Sequence, residues 1–538
     1  MGASLSGMAV ALTLALPWLV TFAPGPASNV GPWLAGAACT LLAWLVSRGA
    51  LPPRGAALCA VLALGAALLA PTGVPLDRAA LAGGIALVLL ALAVGRGRVE
   101  EACSGGRAGA VAAAWLAAGL LSALIGLLQY FDLARALQPW VHPGALGEAL
   151  GNLRQRNQLA SLLAIALAAT LWFAGRGARL RWLLPAVLLL AVASAATTSR
   201  TGLLHWLLLT GLALLWRGQG QRQRVLLAMA GLAAYALAAA VLPVLLERSA
   251  GVAADSLATR VVTNLGCSSR TVLWSNVLQL IAQRPLLGWG WGELDYAHYM
   301  NLYQGPRFCD ILDNAHNLPL HIGVELGVPA ALLFCAATVV AVWRARPWAE
   351  TDGDRRLAWS VLAVLAVHSM LEYPLWYAPF QIALGLALGL LAVPRVRAAP
   401  AWHVAWVAPA CSVLLAYAAW DYLRVSQIYL EPQQRLAPWR EDTLAQARRS
   451  WLFAGQARFA ELTLTALTPR TADWVDANAQ AALHYSPEPR VIEKVIESAT
   501  MKERYDDAVL HLARYRAAFP DDYARWRKQQ KLPLGAVP

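Results

Sequence analysis

The sequence predicts an all-α polytopic membrane protein with a helical soluble tail, and its composition and charge placement carry that prediction. Of its 538 residues, 58% are hydrophobic and 14% are charged, whereas a soluble domain has about 25% charged residues. Disordered, collagen-like, coiled-coil and disulfide-scaffold classes are therefore excluded. The formal net charge of +13 does not indicate nucleic-acid binding, because residues 1–420 carry most of their arginines in short gaps between apolar runs.

Thirteen apolar runs are interpreted as membrane-spanning helices, since a span needs about 20 mostly apolar residues. They lie at 5–22, 31–47, 55–71, 79–95, 108–129, 157–174, 182–198, 201–217, 225–246, 318–343, 357–373, 376–393 and 402–420. The first run has no basic residues before it and continues into further apolar sequence. We therefore interpret it as a retained span rather than a cleaved signal peptide.

The arginines between the spans predict the topology. Seventeen of them lie in six alternate gaps, whereas the four short gaps on the other side contain only Arg78 and Arg200. Because cytoplasmic loops are enriched in Lys and Arg, the six arginine-rich gaps are predicted to be cytoplasmic. The N-terminus is then inside the cell, and the longer segments 130–156 and 247–317 lie outside, together with the C-terminal tail.

This pattern predicts two domains. Residues 1–420 form the membrane domain, interrupted by the large outer loop 247–317, and residues 421–538 form a soluble helical domain. In the tail, 441–467 and 490–517 have apolar residues at three- and four-residue spacing, and they resemble stacked helical hairpins of the tetratricopeptide kind. Two roles remain open for this tail: an interaction platform, or a structural cap over the outer face.

Polar residues gather at the outer ends of the spans, and the first group is the segment 151–158, GNLRQRNQ. It combines Arg154 and Arg156 with the amides Asn157 and Gln158 at the entrance to the sixth span. Arginine at helix ends often only anchors a span at the interface, but on the outer side it departs from the charge rule. We interpret the pair as candidates for binding a phosphate group, which matches the guanidinium fork.

Two further arginines lie on the outer side. Arg200 lies in a very tight turn, TTSRTG, between the seventh and eighth spans. An arginine with so little loop in which to reach water is either functional or paired with an outer carboxylate such as Glu372. Arg270 begins an amphipathic helix that is predicted to run to Arg284, followed by the glycine- and tryptophan-rich segment 285–293. That segment is either a shelf on which sugars stack or an interfacial anchor.

A histidine is the candidate general base. His316 and Asn317 lie in the segment DNAHNLPLH, which leads from the large loop into the tenth span. Histidine can take up a proton near neutral pH. An interfacial, hydrogen-bonded histidine is the alternative role, which also suits His321, and His298 is a weaker competitor from the loop.

An ionisable pair is predicted where the eleventh span ends. His368 and Glu372 are four residues apart in HSMLEYP, a spacing that places them on one face of a helix. Such a pair at a membrane edge usually faces a cavity or another polar group. A catalytic and a structural pair are both compatible with the sequence.

The sequence provides no motif for a metal or a cofactor, since no CxxC or HExxH pattern and no Walker or dinucleotide glycine pattern occurs. We therefore expect no metal and no cofactor. Cys267 and Cys309 share the outer loop, which is predicted to meet an oxidising compartment. These two cysteines are predicted to form a disulfide.

Taken together, the segments GNLRQRNQLA, TTSRTG, RPLLGWGWGELD, DNAHNLPLHIGVELG and HSMLEYPLWYAPF resemble the O-antigen ligase and polymerase superfamily. Within it, the chain is most similar to the bacterial pilin-type protein O-oligosaccharyltransferases. The resemblance covers most of residues 110–395 and extends to the helical tail. Its most specific element is the His-Asn entry to a span after the large loop.

The resemblance implies a metal-independent glycosyltransferase with a membrane fold of the GT-C type in the bacterial inner membrane. Its donor would be an undecaprenyl-pyrophosphate-linked oligosaccharide at the periplasmic face, and its acceptor a Ser or Thr hydroxyl of a protein such as pilin. His316 would activate that hydroxyl. The diphosphate would be bound by four outer arginines, namely Arg154, Arg156, Arg200 and Arg270. The substrate would be bound by neighbouring polar residues, namely Asn157, Gln158, Asn317, His368 and Glu372.

Two other functions remain open. The same chemistry on another acceptor would ligate O-antigen to lipid A–core or polymerise O-antigen repeats. A transporter or flippase is the lesser alternative, because transporters carry polar residues near mid-span and show internal repeats, whereas the polar motifs here gather at outer ends. Partners are thus membrane lipids, the lipid-linked donor and one of these acceptors, with no nucleic acid.

Overall fold

The computed structural model describes residues 5–21, 26–27, 29–49, 75–97, 106–251, 266–392 and 403–530, and the regular elements in these ranges are all helices. By length and composition, seven helical segments in these ranges are suited to cross a membrane, namely Val30–Ser47, Ala79–Arg96, Gly106–Tyr130, Arg156–Gly175, Gln221–Ala250, Val328–Ala349 and Val404–Tyr429. The prediction of an all-helical polytopic membrane protein is therefore confirmed. The number of thirteen spans stays a prediction, and the predicted span 55–71 lies outside the described residues.

Within the described ranges, eight α-helices build the part of the membrane bundle that precedes the large loop. They are α1 (Leu5–Ala15), α2 (Val30–Ser47), α3 (Pro75–Arg96), α4 (Gly106–Tyr130), α5 (Arg156–Gly175), α6 (Leu180–Ala196), α7 (Arg200–Leu215) and α8 (Gln221–Ala250). The first predicted span ends early as an α-helix, because Pro17 follows and the chain continues as a 3₁₀ turn over Leu16–Trp18.

The remaining helices belong to the large loop, the later spans and the tail. In the loop are α9 (Arg270–Gln283) and α10 (Leu294–Met300), and the later membrane helices are α11 (Leu318–Leu326), α12 (Val328–Ala345), α13 (Gly353–Ser369), α14 (Ala378–Leu391) and α15 (Ala408–Ser426). The tail contains α16 (Thr443–Ala447), α17 (Ala454–Leu464), α18 (Ala472–Leu483), α19 (Pro489–Met501), α20 (Tyr505–Ala518) and α21 (Pro520–Gln529). The two tail segments with helical periodicity, 441–467 and 490–517, each contain a pair of helices.

Helix α5 lies at the centre of the bundle, and 89% of its most apolar stretch is buried inside the protein. Small residues let its neighbours approach closely: a Cβ added to Gly119 of α4 would lie only 2.2 Å from the Cβ of Ala166. Such small-residue contacts are the usual basis of helix packing in membranes, where lipid is as apolar as leucine. The first turn of α5 carries Arg156, Asn157 and Gln158, so the most deeply buried of the seven candidate spans supports these polar side chains.

The prediction of one continuous span over 318–343 was wrong. Helix α11 ends at Leu326 and α12 begins at Val328, and Gly327 between them has φ +90°. The break allows the backbone of the preceding loop to pair with α11, because Val324 O accepts from Trp289 N at 2.9 Å. A Cβ at Gly327 would lie 2.1 Å from Leu286 O, so only glycine fits this junction.

The loop is folded between the bundle and the tail. Its own core includes Leu280, Leu312 and Val324 of α11, so the loop packs on the helix that follows it. Tyr299 of α10 instead belongs to the tail core, together with Val495 and other buried residues of α17 to α21. The tail is helical as predicted, and its tetratricopeptide likeness stays a prediction.

Candidate functional site

The buried carboxylate of Glu372 is the point at which the predicted polar motifs meet. Its Oε1 accepts a hydrogen bond from Arg270 Nη2 at 2.8 Å and another from Asn157 Nδ2 at 2.9 Å. Its Oε2 lies 2.8 Å from His316 Nδ1. Three segments far apart in the sequence therefore converge on one side chain that is only 8% exposed.

The starts of α5 and α7 are tied together beside Glu372. Ser199 caps α7 by accepting from Gly202 N at 3.0 Å, and its hydroxyl donates to Asn157 Oδ1 at 2.6 Å. Asn157 is thereby held with its amide nitrogen toward Glu372. Ser199 was not singled out in the sequence, although a serine before a helix start is a recognisable capping signal.

Arg156 is held by a carboxylate of the 130–156 segment. Its Nη2 donates to Glu148 Oε1 at 2.7 Å, and its Nη1 lies 3.5 Å from Thr198 Oγ1 in the turn before α7. Both Thr198 and Arg154 have positive φ, +48° and +64°. Such backbone conformations are uncommon for residues other than glycine, and they cluster at functional sites.

Arg270 is placed by the start of α9. Ser269 caps this helix by accepting from Val272 N at 3.4 Å, so Arg270 occupies the first helical position. Cys267, three residues earlier, forms a disulfide with Cys309, 42 residues later. The cross-link restrains the chain directly before Arg270, which is 29% exposed in its ion pair with Glu372.

His316 is held in an unusual backbone conformation, with φ +50°. Its N–H donates to Asn314 Oδ1 at 2.9 Å. Asn317 caps α11 by accepting from Leu320 N at 3.1 Å, and its Nδ2 donates to Met370 O at 3.1 Å. Because Nδ1 faces the Glu372 carboxylate, a ring that donates its Nδ1–H there has the lone pair of Nε2 left to accept a proton.

Asp313 adds a second carboxyl group near His316. Burial raises the pKa of Asp313, and the electrostatic influence of His316 opposes that rise. A carboxyl group of raised pKa in a partly enclosed site is typical of functional regions. Sequence reasoning did not single out Asp313, although it begins the same DNAHN segment.

Two of the predicted arginines have no partner within the part of the chain that the structure describes. Arg154 and Arg200 are exposed and make neither an ion pair nor a side-chain hydrogen bond to another described residue. Arg200 also occupies the first turn of α7, where the helix dipole favours an anion. The predicted alternative of an Arg200–Glu372 pair was wrong, because Arg270 and His316 occupy that carboxylate.

The predicted His368–Glu372 pair stays a prediction, since the two side chains form no hydrogen bond or ion pair with each other among the described residues. Helix α13 ends at Ser369, but Glu372 N still donates to His368 O at 2.8 Å, as in a helical turn. His368 is fully buried, and its Nδ1 lies 2.8 Å from Ser161 Oγ in α5. His368 therefore supports the site from its buried side. Gln158, the residue that follows Asn157, is also buried.

The other outer histidines face inward. His321 is 2% exposed and its Nε2 lies 3.3 Å from Glu325 Oε2. His298 contacts Tyr303 Oη at 2.7 Å and Phe308 O at 3.1 Å, and it is 3% exposed. His316 is therefore the histidine of the three with the most accessible side chain.

The tryptophan-rich segment has two different environments. Trp289 donates its indole N–H to Leu280 O at 3.0 Å, and the guanidinium of Arg284 lies over its ring at 4.0 Å. Trp291 instead stacks on Trp376, with ring centroids 6.0 Å apart. Trp289 thus fixes the loop core, and the role of the segment as a sugar shelf or an interfacial anchor stays a prediction.

Three family models match consecutive parts of the chain. The model described as "Protein glycosylation ligase" matches residues 149–174, "O-Antigen ligase" matches 185–335, and "Virulence factor membrane-bound polymerase, C-terminal" matches 356–532. The first range contains Arg154 to Gln158, the second Arg200, Arg270 and His316, and the third Glu372. The matched segments therefore include every residue that contacts Glu372 above.

Two curated relatives come from Acinetobacter baylyi. The ComP-specific O-oligosaccharyltransferase is 25% identical over 130 residues, which are 24% of this chain and 24% of that protein. The General O-oligosaccharyltransferase is 26% identical over 122 residues, 23% of this chain and 21% of that protein. The match thus spans about a quarter of the relatives' length. The resemblance to the O-antigen ligase superfamily and its O-oligosaccharyltransferases is confirmed by these matches.

Proposed function

From this family resemblance, we propose that the protein is an O-oligosaccharyltransferase of the bacterial inner membrane. It transfers an oligosaccharide from an undecaprenyl-pyrophosphate donor to a Ser or Thr hydroxyl of an acceptor protein such as pilin, at the periplasmic face. The observation that carries the proposal is the contact of His316 Nδ1 with Glu372 Oε2 at 2.8 Å, beside the outer arginines. It gives a candidate base and candidate anion-binding groups in one place.

The proposed step is a displacement at the anomeric carbon of the first sugar. The acceptor oxygen forms a bond to that carbon, while the bond from the carbon to the diphosphate oxygen breaks and leaves its electron pair on the diphosphate. The hydroxyl proton moves to His316 Nε2. Glu372 holds the imidazole through Nδ1 and stabilises the imidazolium that forms, as a carboxylate does in other histidine-based sites.

Arginines would stabilise the departing diphosphate. Arg154 and Arg200 have guanidinium groups without a carboxylate partner among the described residues, so they are the primary candidates for its oxygens. Arg156 and Arg270 are paired with Glu148 and Glu372. We assign them to holding the site together, with contact to the diphosphate as a second role. Preorganised cations in a water-poor site stabilise developing negative charge strongly.

The amides complete the proposed site. Asn157 is hydrogen-bonded to Glu372 through Nδ2 and to Ser199 through Oδ1. It would contact the sugar or head group only through the amide donor and acceptor positions that these two bonds leave unused. Gln158 and Asn317 are supports for the same surface, and Asn317 fixes the backbone directly after His316. The proposed mechanism requires neither a cofactor nor a metal, because protein cations supply the charge.

His316→Ala tests the assignment. We expect loss of glycan transfer with normal accumulation of the lipid-linked donor, measured by mass spectrometry of periplasmic glycopeptides and of extracted lipids. His142→Ala is the matched control, since His142 is a half-buried outer histidine that contacts Asn152 through its backbone N–H. Near-normal transfer by the His316 variant at equal membrane abundance would contradict the proposal.

A second candidate function differs only in the acceptor. The matches to models described as "O-Antigen ligase" and "Virulence factor membrane-bound polymerase, C-terminal" favour lipid A–core ligation or O-antigen polymerisation. A deletion strain distinguishes the possibilities: loss of glycopeptides with unchanged lipopolysaccharide supports protein glycosylation, whereas shortened or unligated O-antigen supports the alternative. A transporter would instead retain translocation of lipid-linked glycan in the His316→Ala variant and lack transfer in the original chain.

A further inference from the structure

We propose that the end of the bundle opposite His316 contains a specific binding site for the phosphate head group of an anionic phospholipid. The site is a cavity of about 620 Å³ between the segments 177–180 and 218–226, where α5 turns into α6 and α7 turns into α8. It is separate from the proposed transferase site, because that site lies at the opposite ends of α5 and α7. Helix α5 alone, with 20 residues, spans about 30 Å.

Two arginines give the cavity its charge. Arg179 and Arg222 line it, and both are exposed. Neither makes an ion pair or a side-chain hydrogen bond with another residue in the described parts of the chain. By contrast, the nearby Arg176 is paired with Asp354 at 2.6 Å, and Arg224 donates to Gln219 O and Trp216 O. The two cavity arginines therefore remain available to an anion.

The backbone adds donors on the same side. Helix α6 begins at Leu180 and α8 at Gln221, and neither has a side-chain cap. The first N–H groups of both helices are thus unsatisfied by the usual capping bond, and both helix dipoles favour an anion. Gln223 Nε2 donates to Ala178 O at 2.8 Å, which ties the two turns together and keeps these helix starts side by side.

An apolar wall identifies the anion as part of a lipid. Leu180 and Leu226 line the same cavity and are 44% and 52% exposed. Trp182, just beyond, is 70% exposed, with Arg181 over its ring at 5.4 Å. Tryptophan beside arginine is typical of the boundary between head groups and acyl chains. A soluble phosphate would gain nothing from this wall, whereas a phospholipid places its head group among the arginines and its chains along the leucines.

The cavity goes beyond what the charge rule requires. Orientation depends only on the number of Lys and Arg near the spans and needs no concave surface, paired helix starts or apolar wall. Basic pockets between membrane helices are a recognised way of binding anionic lipid head groups.

The test uses the purified full-length chain and native mass spectrometry with phosphatidylglycerol, phosphatidylcholine or soluble glycerol phosphate as the probe. We expect the unmodified chain to bind phosphatidylglycerol about tenfold more tightly than phosphatidylcholine, since each arginine near the surface contributes to anionic-lipid binding. The double variant Arg179→Gln/Arg222→Gln is expected to bind the two lipids about equally. Both residues are exposed, so its melting temperature should be unchanged, and the single variant Arg222→Gln is expected to lose part of the preference.

The matched control is Arg217→Gln/Arg344→Gln, which removes the same charge from exposed arginines that do not line the cavity. It should keep the preference for phosphatidylglycerol. An equal loss in both double variants would overturn the proposal in favour of general surface charge, as would no loss in either. Displacement of the lipid by millimolar glycerol phosphate would overturn the lipid assignment and indicate a site for soluble phosphate.

Discussion

At the scale of single residues, Glu372 is notable because one carboxylate has three polar partners. It accepts from Arg270 and Asn157 through one oxygen and faces His316 with the other. Each partner comes from a different segment of the chain. The carboxylate therefore positions the candidate base and also holds the three segments together.

We expect Glu372→Gln to lower the turnover of glycan transfer about a hundredfold, since a positioned acid–base pair contributes about 10² to 10⁴ in rate. An amide in this place removes the negative charge that stabilises a protonated His316. The measurement is transfer to an acceptor peptide in reconstituted membranes, with Asp310→Asn as the control, because Asp310 is an exposed acid of the large loop. A fall in melting temperature with unchanged turnover would show that Glu372 is only structural.

Two buried histidines outside the spans predict a stability that depends on pH. Burial, followed by the charge of Arg307, lowers the pKa of His298 to about 3. Burial, followed by the charge of Arg514, lowers the pKa of His511 to about 4. In the unfolded chain both take up a proton near pH 6.5, while the folded protein keeps them neutral. Stability is therefore intact above about pH 6.5 and is lost as the pH falls toward these lowered values.

The expected slope approaches about 1.4 kcal/mol per pH unit for each histidine well below pH 6.5. Thermal unfolding of the purified protein at pH 7.5, 6 and 5 measures it. His298→Gln should reduce the slope of stability against pH by the contribution of one histidine. A melting temperature that stays constant between pH 7.5 and 5 would contradict this assignment.

The residue types at the site could be predicted from the sequence, but their pairing could not. Arginine on the outer side departs from the charge rule, and this departure drew attention to Arg154, Arg156 and Arg200. Which carboxylate belongs to which cation depends on how the motifs meet in space. Spacing of four residues predicts that His368 and Glu372 share a helix face, but it does not indicate that His368 lies beside Ser161.

At the scale of elements, the junction of α11 and α12 depends on a residue without a side chain. We expect Gly327→Ala to destabilise the protein by roughly 2 kcal/mol or more, because its φ of +90° and the 2.1 Å approach of Leu286 O both exclude a Cβ. Gly211→Ala is the control: a Cβ there meets nothing within 4 Å, and alanine favours helix. Melting temperatures of the two variants should differ clearly, and equal values would contradict the close approach.

The disulfide is a second constraint at this scale. Opening the Cys267–Cys309 cross-link, which closes a loop of 42 residues, is expected to destabilise the loop by roughly 2 to 4 kcal/mol. Cys267→Ser/Cys309→Ser should show faster limited proteolysis between these positions and reduced transfer, because Arg270 follows the cross-link. Labelling of both thiols in the unmodified protein without reduction would contradict the bond.

Helix boundaries show where sequence reasoning stops. The apolar run 318–343 is helical on both sides of Gly327 but is broken at that residue. Hydropathy does not indicate that the backbone of the loop passes next to this glycine. The same limit applies to the tail, where periodicity indicated helical segments but not the residues at which each helix ends. Contacts between distant segments, rather than local preference, set these ends.

At the scale of the whole molecule, the two ends of the bundle carry different chemistry. The His316 end has paired carboxylates and histidines, whereas the opposite end has arginines and exposed tryptophans such as Trp182 and Trp343. We expect single cysteines at Gln219 and at Gln304 to differ in labelling by an impermeant thiol reagent in intact cells. Gln304 should react once the outer membrane is permeabilised, and Gln219 only after lysis. Equal labelling of both would contradict the proposed orientation.

The shared core of α10 and the tail determines how such proteins can be recombined. Because Tyr299 is 2% exposed inside the tail core and contacts His511 at 2.8 Å, a chimera cut at the end of α15 would separate two halves of one hydrophobic interior. The unit that can be exchanged between relatives is thus α10 together with α17 to α21, although residues 301–453, which include the later membrane helices, lie between them in the chain. Acceptor recognition, if it resides in the tail, would be inherited together with a piece of the loop.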